Sequence, residues 1–249
     1  MPGLMKSWSH SRLGDFERCK LAARLKYVDK VPEPIRPLPP GKTEHANDRG
    51  SRIHDGCEQY VRGNLDEMPY EADKHFGPQI DFLRVLYPEG VVSLEGEWGM
   101  NEDWEPTDWK TAWHRCKLDA MVHWAKTHAT VIDYKSGKRF GNEVKHGEQM
   151  QLYVLNAFLR FPLLEEVTAE LWYLDIGETA RITMRRDQGL RFRSNFDRRG
   201  RKVTDATEFP PNPNRFACRW CEYGPWNTGH CTVGVKDGWQ PVQIQKRAA

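Results

Sequence analysis

The spacing of apolar residues changes period along the chain, and the changes separate helical from strand segments. Residues 9–28 carry Leu13, Phe16, Ala23 and Tyr27 at helical spacing behind Ser9 or Ser11 as a cap, which predicts one helix. VPEPIRPLPPG (31–41) follows and can be neither helix nor central strand. Ile53, Cys57 and Tyr60/Val61 mark a second helix over about 44–62, and a third is expected over 74–87. The period then shortens. VVSLEGEWGM (91–100), AWHRCKLDAMVHW (112–124) and ATVIDYK (129–135) read as strands. In the second of these, Cys116, Leu118, Ala120 and Val122 are expected on one face, with Lys117, Asp119 and His123 on the other. A helix over 142–161 turns Met150, Val154, Ala157 and Phe161 inward, and strands over 167–177 and 180–186 follow. The stretch from 187 reads as a basic helix, then a Pro/Asn-rich loop over 209–216, then a group of cysteines. This order predicts an α/β protein, a sheet flanked by helices.

The 249 residues suffice for one large domain with a core of its own. The expected organisation is a single domain over 1–249. It comprises a helical part (9–90), a sheet core (91–186), a basic helix with a cysteine tail (187–231) and a flexible end (232–249). Mean hydropathy is −0.76, yet 10 Trp, 8 Tyr and 10 Phe exclude a disordered chain. No apolar run approaches the roughly 18 residues a membrane span needs, and the N-terminus lacks a signal-peptide apolar stretch. A cytoplasmic protein without a membrane partner is expected, whose six cysteines serve as metal ligands or core residues rather than disulfides.

A net charge of +2 hides a segregation. Residues 58–108 hold thirteen acids against three Lys/Arg, while 181–202 hold nine Lys/Arg against two acids. The basic stretch, with Arg191, Arg193, Arg198 and Arg199, suits a polyanion, or else a solvated helix face.

Two groups of residues carry candidate chemistry. Asp133 and Lys135 share a strand face, with Tyr134 turned away, and Asp119 lies on the preceding strand. A loop over 125–127 sets Asp119 opposite Asp133, whereas a five-residue loop sets it opposite Lys135; either register places Leu118 and Ile132 together on the far face. Two converging acids repel one another, and a divalent cation such as Mg²⁺ relieves the repulsion. The short pattern also fits a structural ion-pair cluster. His54 and Glu58 stand at i, i+4 on the second helix, where a neutral imidazole is a natural further ligand. Gln149 and Tyr153 stand at i, i+4 opposite the Met150/Val154 stripe, where they can hold a phosphate or stack a base. Glu95 or Glu97 on the first strand could also reach the site, or face solvent.

The second group is Cys218-Arg-Trp-Cys221 with Cys231, a CxxC and a third cysteine close behind. A fourth ligand could come from Cys19, Cys57, Cys116 or His230. Cys57 and Cys116 fall on apolar faces and read as core, whereas Cys19 lies in the polar segment FERCK. Spacing alone accepts zinc or an iron–sulfur cluster.

GxxxHxxxE (50–58), Asp119, DYKSGK (133–138) and QMQLY (149–153), in that order, resemble the RecB-type branch of the PD-(D/E)xK nucleases. They are similar also to the CRISPR-associated adaptation nucleases and the AddB nuclease domain. The resemblance spans about 9–231 and departs from the family at CKLDA, which lacks a Gly two or three residues before the Asp. It implies an αβββαβ restriction-endonuclease-like core and cleavage of DNA, at a single strand or a duplex end, by metal-activated water with Mg²⁺ or Mn²⁺. His54, Asp119, Asp133 and the Tyr134 carbonyl are implied as metal ligands, Lys135 as the catalytic lysine, and Gln149 and Tyr153 as DNA-positioning residues. The same family implies a [4Fe–4S] cluster on Cys19, Cys218, Cys221 and Cys231, with zinc as the alternative. Exonucleolytic work in recombination, repair or phage DNA processing is the resulting expectation, with a recombination or single-strand-binding protein as a possible partner. The competing readings are a non-catalytic DNA-binding module and a zinc-stabilised RNA-processing protein.

Overall fold

The computed structural model describes residues 3–137 and 139–235, without the side chain of Glu95; Lys138, the Glu95 side chain and most of the 232–249 tail therefore lie outside the described residues. The chain divides into two compact units. One is Leu38–Asp197; the other joins the two flanks of the chain, up to Pro37 and from Arg198 on.

The flanking unit begins with α1 (His10–Arg18) and α2 (Lys20–Tyr27). The single helix expected over 9–28 is broken at Cys19, whose backbone is extended (φ −162°, ψ 113°). Ser9 caps α1 by accepting from the Arg12 amide. Tyr27 donates to Asp15 (2.7 Å) across the break and ties the two helices together.

The central unit starts with α3 (Ala46–Val61) and α4 (Tyr70–Leu86). The sheet strands are β1 (Val92–Met100), β2 (Pro106–Thr107), β3 (His114–Ala125), β4 (His128–Lys135), β5 (Glu166–Tyr173) and β6 (Glu178–Arg185), in the order β2-β1-β3-β4-β5-β6. Every neighbouring pair is antiparallel except β4 and β5, which are parallel and joined by α5 (Glu143–Arg160). Short α6 (Arg186–Leu190) packs against α5 at Gly189, where a Cβ would stand 2.6 Å from the Phe158 ring. The last helix with central-unit residues is α7 (Arg193–Thr204), and the unit boundary falls inside it; α8 (Arg215–Cys218) belongs to the flanking unit. Strand β2 and helix α8 had no sequence signal beyond turn residues, because two and four residues are too short to show a period.

Both faces of the sheet are covered. Met121, Val131, Ala169 and Leu171 pack under α5 with Tyr153, Val154 and Phe158. Ala120, Val122, Ile132 and Tyr134 pack under α3 and α4 with Ile53, Cys57, Phe76 and Ile80. The single apolar face expected for residues 116–122 is therefore corrected. Cys116 and Leu118 join the cluster under α5, while Ala120 and Val122 join the opposite one, so Leu118 and Ile132 do not share a face. The change of side coincides with Asp119. Residues 118–122 are buried without interruption, as befits a strand covered on both faces, so alternation carries no information there.

Candidate active site

Hairpin register sets the position of the acids. Strands β3 and β4 pair from His123↔Ala129 to Ala120↔Ile132, after an irregularity between His123 and Ala125 near the turn. That ladder ends at Ala120↔Ile132, next to both acids, in the spacing of the first of the two registers weighed above, but it is reached through a turn at 126–127 with that irregularity rather than through a loop over 125–127. The Asp119 carboxylate accepts from the Tyr134 amide, Oδ2 to N 2.6 Å, and so ties the two strands together through a side chain. On its other oxygen, Oδ1 is 2.7 Å from His54 Nδ1, which α3 delivers next to buried Ile53 and one turn before buried Cys57.

Asp119 is nine-tenths buried, and burial pushes its carboxyl above the ordinary aspartate value, with the charge of Asp133 adding to the rise; His54 and the Tyr134 amide act against it. Burial draws His54 down, but its hydrogen bond to Asp119 and the charges of Asp119 and Asp133 outweigh that, and its proton affinity ends above that of ordinary histidine.

Asp133 meets two side chains, Tyr153 and Lys135. Tyr153 donates to its Oδ1, and Gln149 Nε2 in turn donates to the Tyr153 hydroxyl at 2.7 Å. Lys135 Nζ lies 2.5 Å from Oδ2 as an ion pair, and among the described residues that buried oxygen has no hydrogen-bond donor. The expectation that Tyr153 lies opposite the inward stripe is corrected. It is 3% exposed and sits in the cluster under α5, because that helix is buried on nearly every side over 152–158. A buried phenol cannot stack a base; here it orients a carboxylate. Tyr153→Phe is accordingly expected to fold, to lose about 2 kcal/mol in urea denaturation, and to impair any chemistry that needs Asp133 in place. An unchanged denaturation midpoint would show that the bond holds nothing.

Two residues near this site were not singled out in the sequence. His146, one turn before Gln149 on α5, has Nδ1 2.7 Å from the Tyr173 hydroxyl, and Tyr173 pairs with Lys135 across the parallel strands. Burial lowers His146, and the Lys135 charge lowers it further. Its spacing at i, i+3 from Gln149 was the available signal. Glu58 does not join the acids; it pairs with Arg62 one turn along α3. Glu97 is exposed.

Among the described residues, no group of three or more His, Cys, Asp and Glu stands gathered for a metal. The donor set of the site nonetheless fits a hard divalent cation. It offers two buried carboxylates, one with an oxygen lacking a hydrogen-bond donor, and an imidazole already facing one of them.

In the flanking unit, Cys19, Cys218, Cys221 and Cys231 line one cavity together with Ala22, Leu25 and Trp226. The break between α1 and α2 presents Cys19 to it. The CxxC turn closes with Cys221 N on Cys218 O (3.1 Å), and Cys231 N donates to Tyr223 O (2.7 Å), which folds the third segment back. Burial raises the Cys221 and Cys231 thiols, and neighbouring cysteines add to the rise in both. Cys57 and Cys116 lie elsewhere, in the two core clusters of the sheet; burial pushes Cys57 up to about 12, where it is an inert thiol.

Much of the basic stretch is engaged within the protein. Arg186 donates to the carbonyls of Phe158 and Leu164, Arg193 to that of Asp103, and Arg181 pairs with Glu170. Arg199 is gripped by both oxygens of Glu17, whereas Arg191 pairs with Asp187 in the open. Arg198 also has a partner within the protein.

A family model, the PD-(D/E)XK nuclease superfamily, matches residues 7–226. The chain belongs to the PD-(D/E)XK nuclease superfamily. Its mixed sheet with flanking helices is consistent with that nuclease core, and nucleases of this superfamily generally use divalent metals such as Mg²⁺. No curated protein matches the sequence. Solved structures that resemble it include SSO0001, with 11% identity and TM-score 0.41 over 93% of this chain and 88% of that one. Another is a protein assigned as an exonuclease from Eubacterium rectale, with 12% identity and TM-score 0.44 over 84% of each chain. A third is an alkaline exonuclease from Laribacter hongkongensis, with 12% identity and TM-score 0.32 over 80% of this chain and 87% of that one. Among the described residues no helix is long and apolar enough to cross a membrane.

Proposed function

We propose that the chain is a Mg²⁺- or Mn²⁺-dependent deoxyribonuclease that degrades DNA from its ends, in recombination, repair or phage DNA processing in the cytoplasm. The observation that supports it best is the meeting of Asp119, Asp133 and Lys135 at one hairpin, with His54 and Tyr153 bonded to the two acids. Asp119, Asp133, His54 and the Tyr134 carbonyl would hold the cation. When bound, it supplies Lewis-acid stabilisation of a phosphoryl oxygen and makes water a competent nucleophile near neutral pH.

The remaining work falls to the chain. Tyr153, itself held by Gln149, fixes Asp133 in one orientation, so little reorganisation is needed on reaction. Lys135 is paired with Asp133 and partly accessible, which suits an ammonium that orients water and meets the charge growing on the phosphate. The exposed Arg191 is suited to the DNA backbone; Arg193, Arg198 and Arg199 would reach phosphates only by leaving partners they now have. The four cysteines are assigned a structural [4Fe–4S] cluster within the flanking unit.

A comparison of linear DNA, covalently closed circular DNA and RNA tests this reading. Loss of the linear DNA with the closed circle and RNA intact is expected. Degradation of RNA alone would replace the assignment with the RNA-processing one.

A further inference from the structure

The cysteine loop shows a second feature that its role as a metal clamp leaves unused. Helix α8 and the turn after it alternate between inward and outward residues. Ala217, Cys218 and Cys221 are buried, while Phe216 and Trp220 are 78% and 67% exposed. Each ring carries a guanidinium from the preceding residue: Arg215 lies 4.8 Å from the Phe216 centroid and Arg219 lies 5.1 Å from that of Trp220. Neither arginine has an acidic partner among the described residues, and residues 209–221 contain no Asp or Glu. The nearest acid in sequence, Glu222, is taken by Arg36.

Scattered surface aromatics need no explanation. These two differ in being built. Asn214 Oδ1 accepts from the amides of Phe216 and Ala217 (3.1 and 2.9 Å) and fixes the start of the turn, while the buried cysteines on either side anchor it to the cavity. The result is two exposed aromatic rings, four residues apart, each with a guanidinium over one face. Positive charge beside open π-faces is complementary to unpaired bases on a phosphate backbone. In a duplex the base faces are already stacked and out of reach.

We propose that Phe216 and Trp220, with Arg215 and Arg219, form a stacking platform for single-stranded DNA. The proposal rests on the reading of the chain as a DNA-processing enzyme and adds the form in which the substrate is held. Cys218 and Cys221, which line the cysteine cavity, are neighbours in sequence of the platform residues, so metal at the cysteines would order the platform.

Binding is measured by fluorescence anisotropy in EDTA, so that it is scored apart from cleavage. The probes are a labelled oligo-dT and an abasic phosphodiester of equal length. Wild-type protein is expected to favour oligo-dT by roughly tenfold or more, since a base on an aromatic ring contributes on the order of 1–3 kcal/mol, a factor of about 5 to 150. The Phe216→Ala/Trp220→Ala variant should bind both probes equally while keeping the wild-type salt dependence. The Arg215→Gln/Arg219→Gln variant should flatten the log–log salt slope by about 1.4, at ~0.7 per phosphate contact on a single strand. All four side chains are outside the core, so each variant is expected to unfold at the wild-type temperature, and this is measured alongside. A wild-type protein without preference for the base-bearing probe, or a folded double-alanine variant that keeps it, overturns the platform. Cleavage of DNA by that same protein would leave the nuclease reading standing.

Discussion

Lys135→Ala protein is expected to fold and yet to cleave DNA at least ~10²-fold more slowly than wild type, and Asp133→Ala to do the same. The two side chains form one unit, with Nζ 2.5 Å from Oδ2, so removing either leaves the other misplaced. Lys135→Ala removes the cation paired with Asp133; His54, the other cationic group paired at the site among the described residues, faces Asp119 instead. Asp133→Ala removes the acceptor of Tyr153 and the second carboxylate that a cation would need. Because the losses fall on one unit, the double variant should be little worse than either single one. Single-turnover cleavage rates, with circular dichroism to establish folding, check this. Near-wild-type cleavage by folded Lys135→Ala protein would refute the assignment of the lysine.

The second large effect concerns the cysteines. Cys19→Ala, Cys218→Ala, Cys221→Ala and Cys231→Ala are each expected to give colourless, poorly soluble protein, while Cys57→Ala and Cys116→Ala stay coloured and folded. The first four line one cavity in a unit assembled from both flanks of the chain. A cluster shared by Cys19 and Cys218 would close nearly the whole chain into a loop, a constraint comparable to a long-range disulfide at roughly 3–5 kcal/mol. Cys57 and Cys116 pack in the sheet's two cores, where trimming a small buried thiol costs about 1 kcal/mol. Iron, sulfide and zinc content across the six variants decides the matter. Iron-replete Cys19→Ala protein would remove Cys19 from the ligand set, and zinc without iron would replace the cluster by a zinc site.

Most strands and helices could be read from the chain because their apolar periods were largely intact: β4 alternates over its first four residues, HATV, and Ile53 and Cys57 mark α3. The misreadings share a cause, which is burial on more than one side. A helical period with one solvent face puts Tyr153 opposite the Met150/Val154 stripe, but α5 lies between the sheet and α6 and has little such face. Leu118 and Ala120 were put on one face by alternation, but their strand segment is covered on both sides and changes partner cluster at Asp119. Cys19 breaks a helix without Gly or Pro to announce it, since Leu13, Phe16 and Ala23 satisfy the helical period on either side. Of the candidate site, the order of the motifs could be read and the two registers could be enumerated. The choice between them depends on an irregularity near Trp124 that no residue pattern marks. The bond from Asp119 to the Tyr134 amide and the His146–Tyr173 pair are tertiary facts, set by how the hairpin and α5 meet.

In the proposed function, two buried carboxylates at this hairpin serve a divalent cation in cutting DNA. Its most direct test is release of label from end-labelled linear DNA by wild-type protein, first stripped with EDTA and then supplied with Mg²⁺ or Mn²⁺. Release that is absent in EDTA and restored by either ion is the predicted result. Undiminished release in EDTA, or none with either ion, would contradict it.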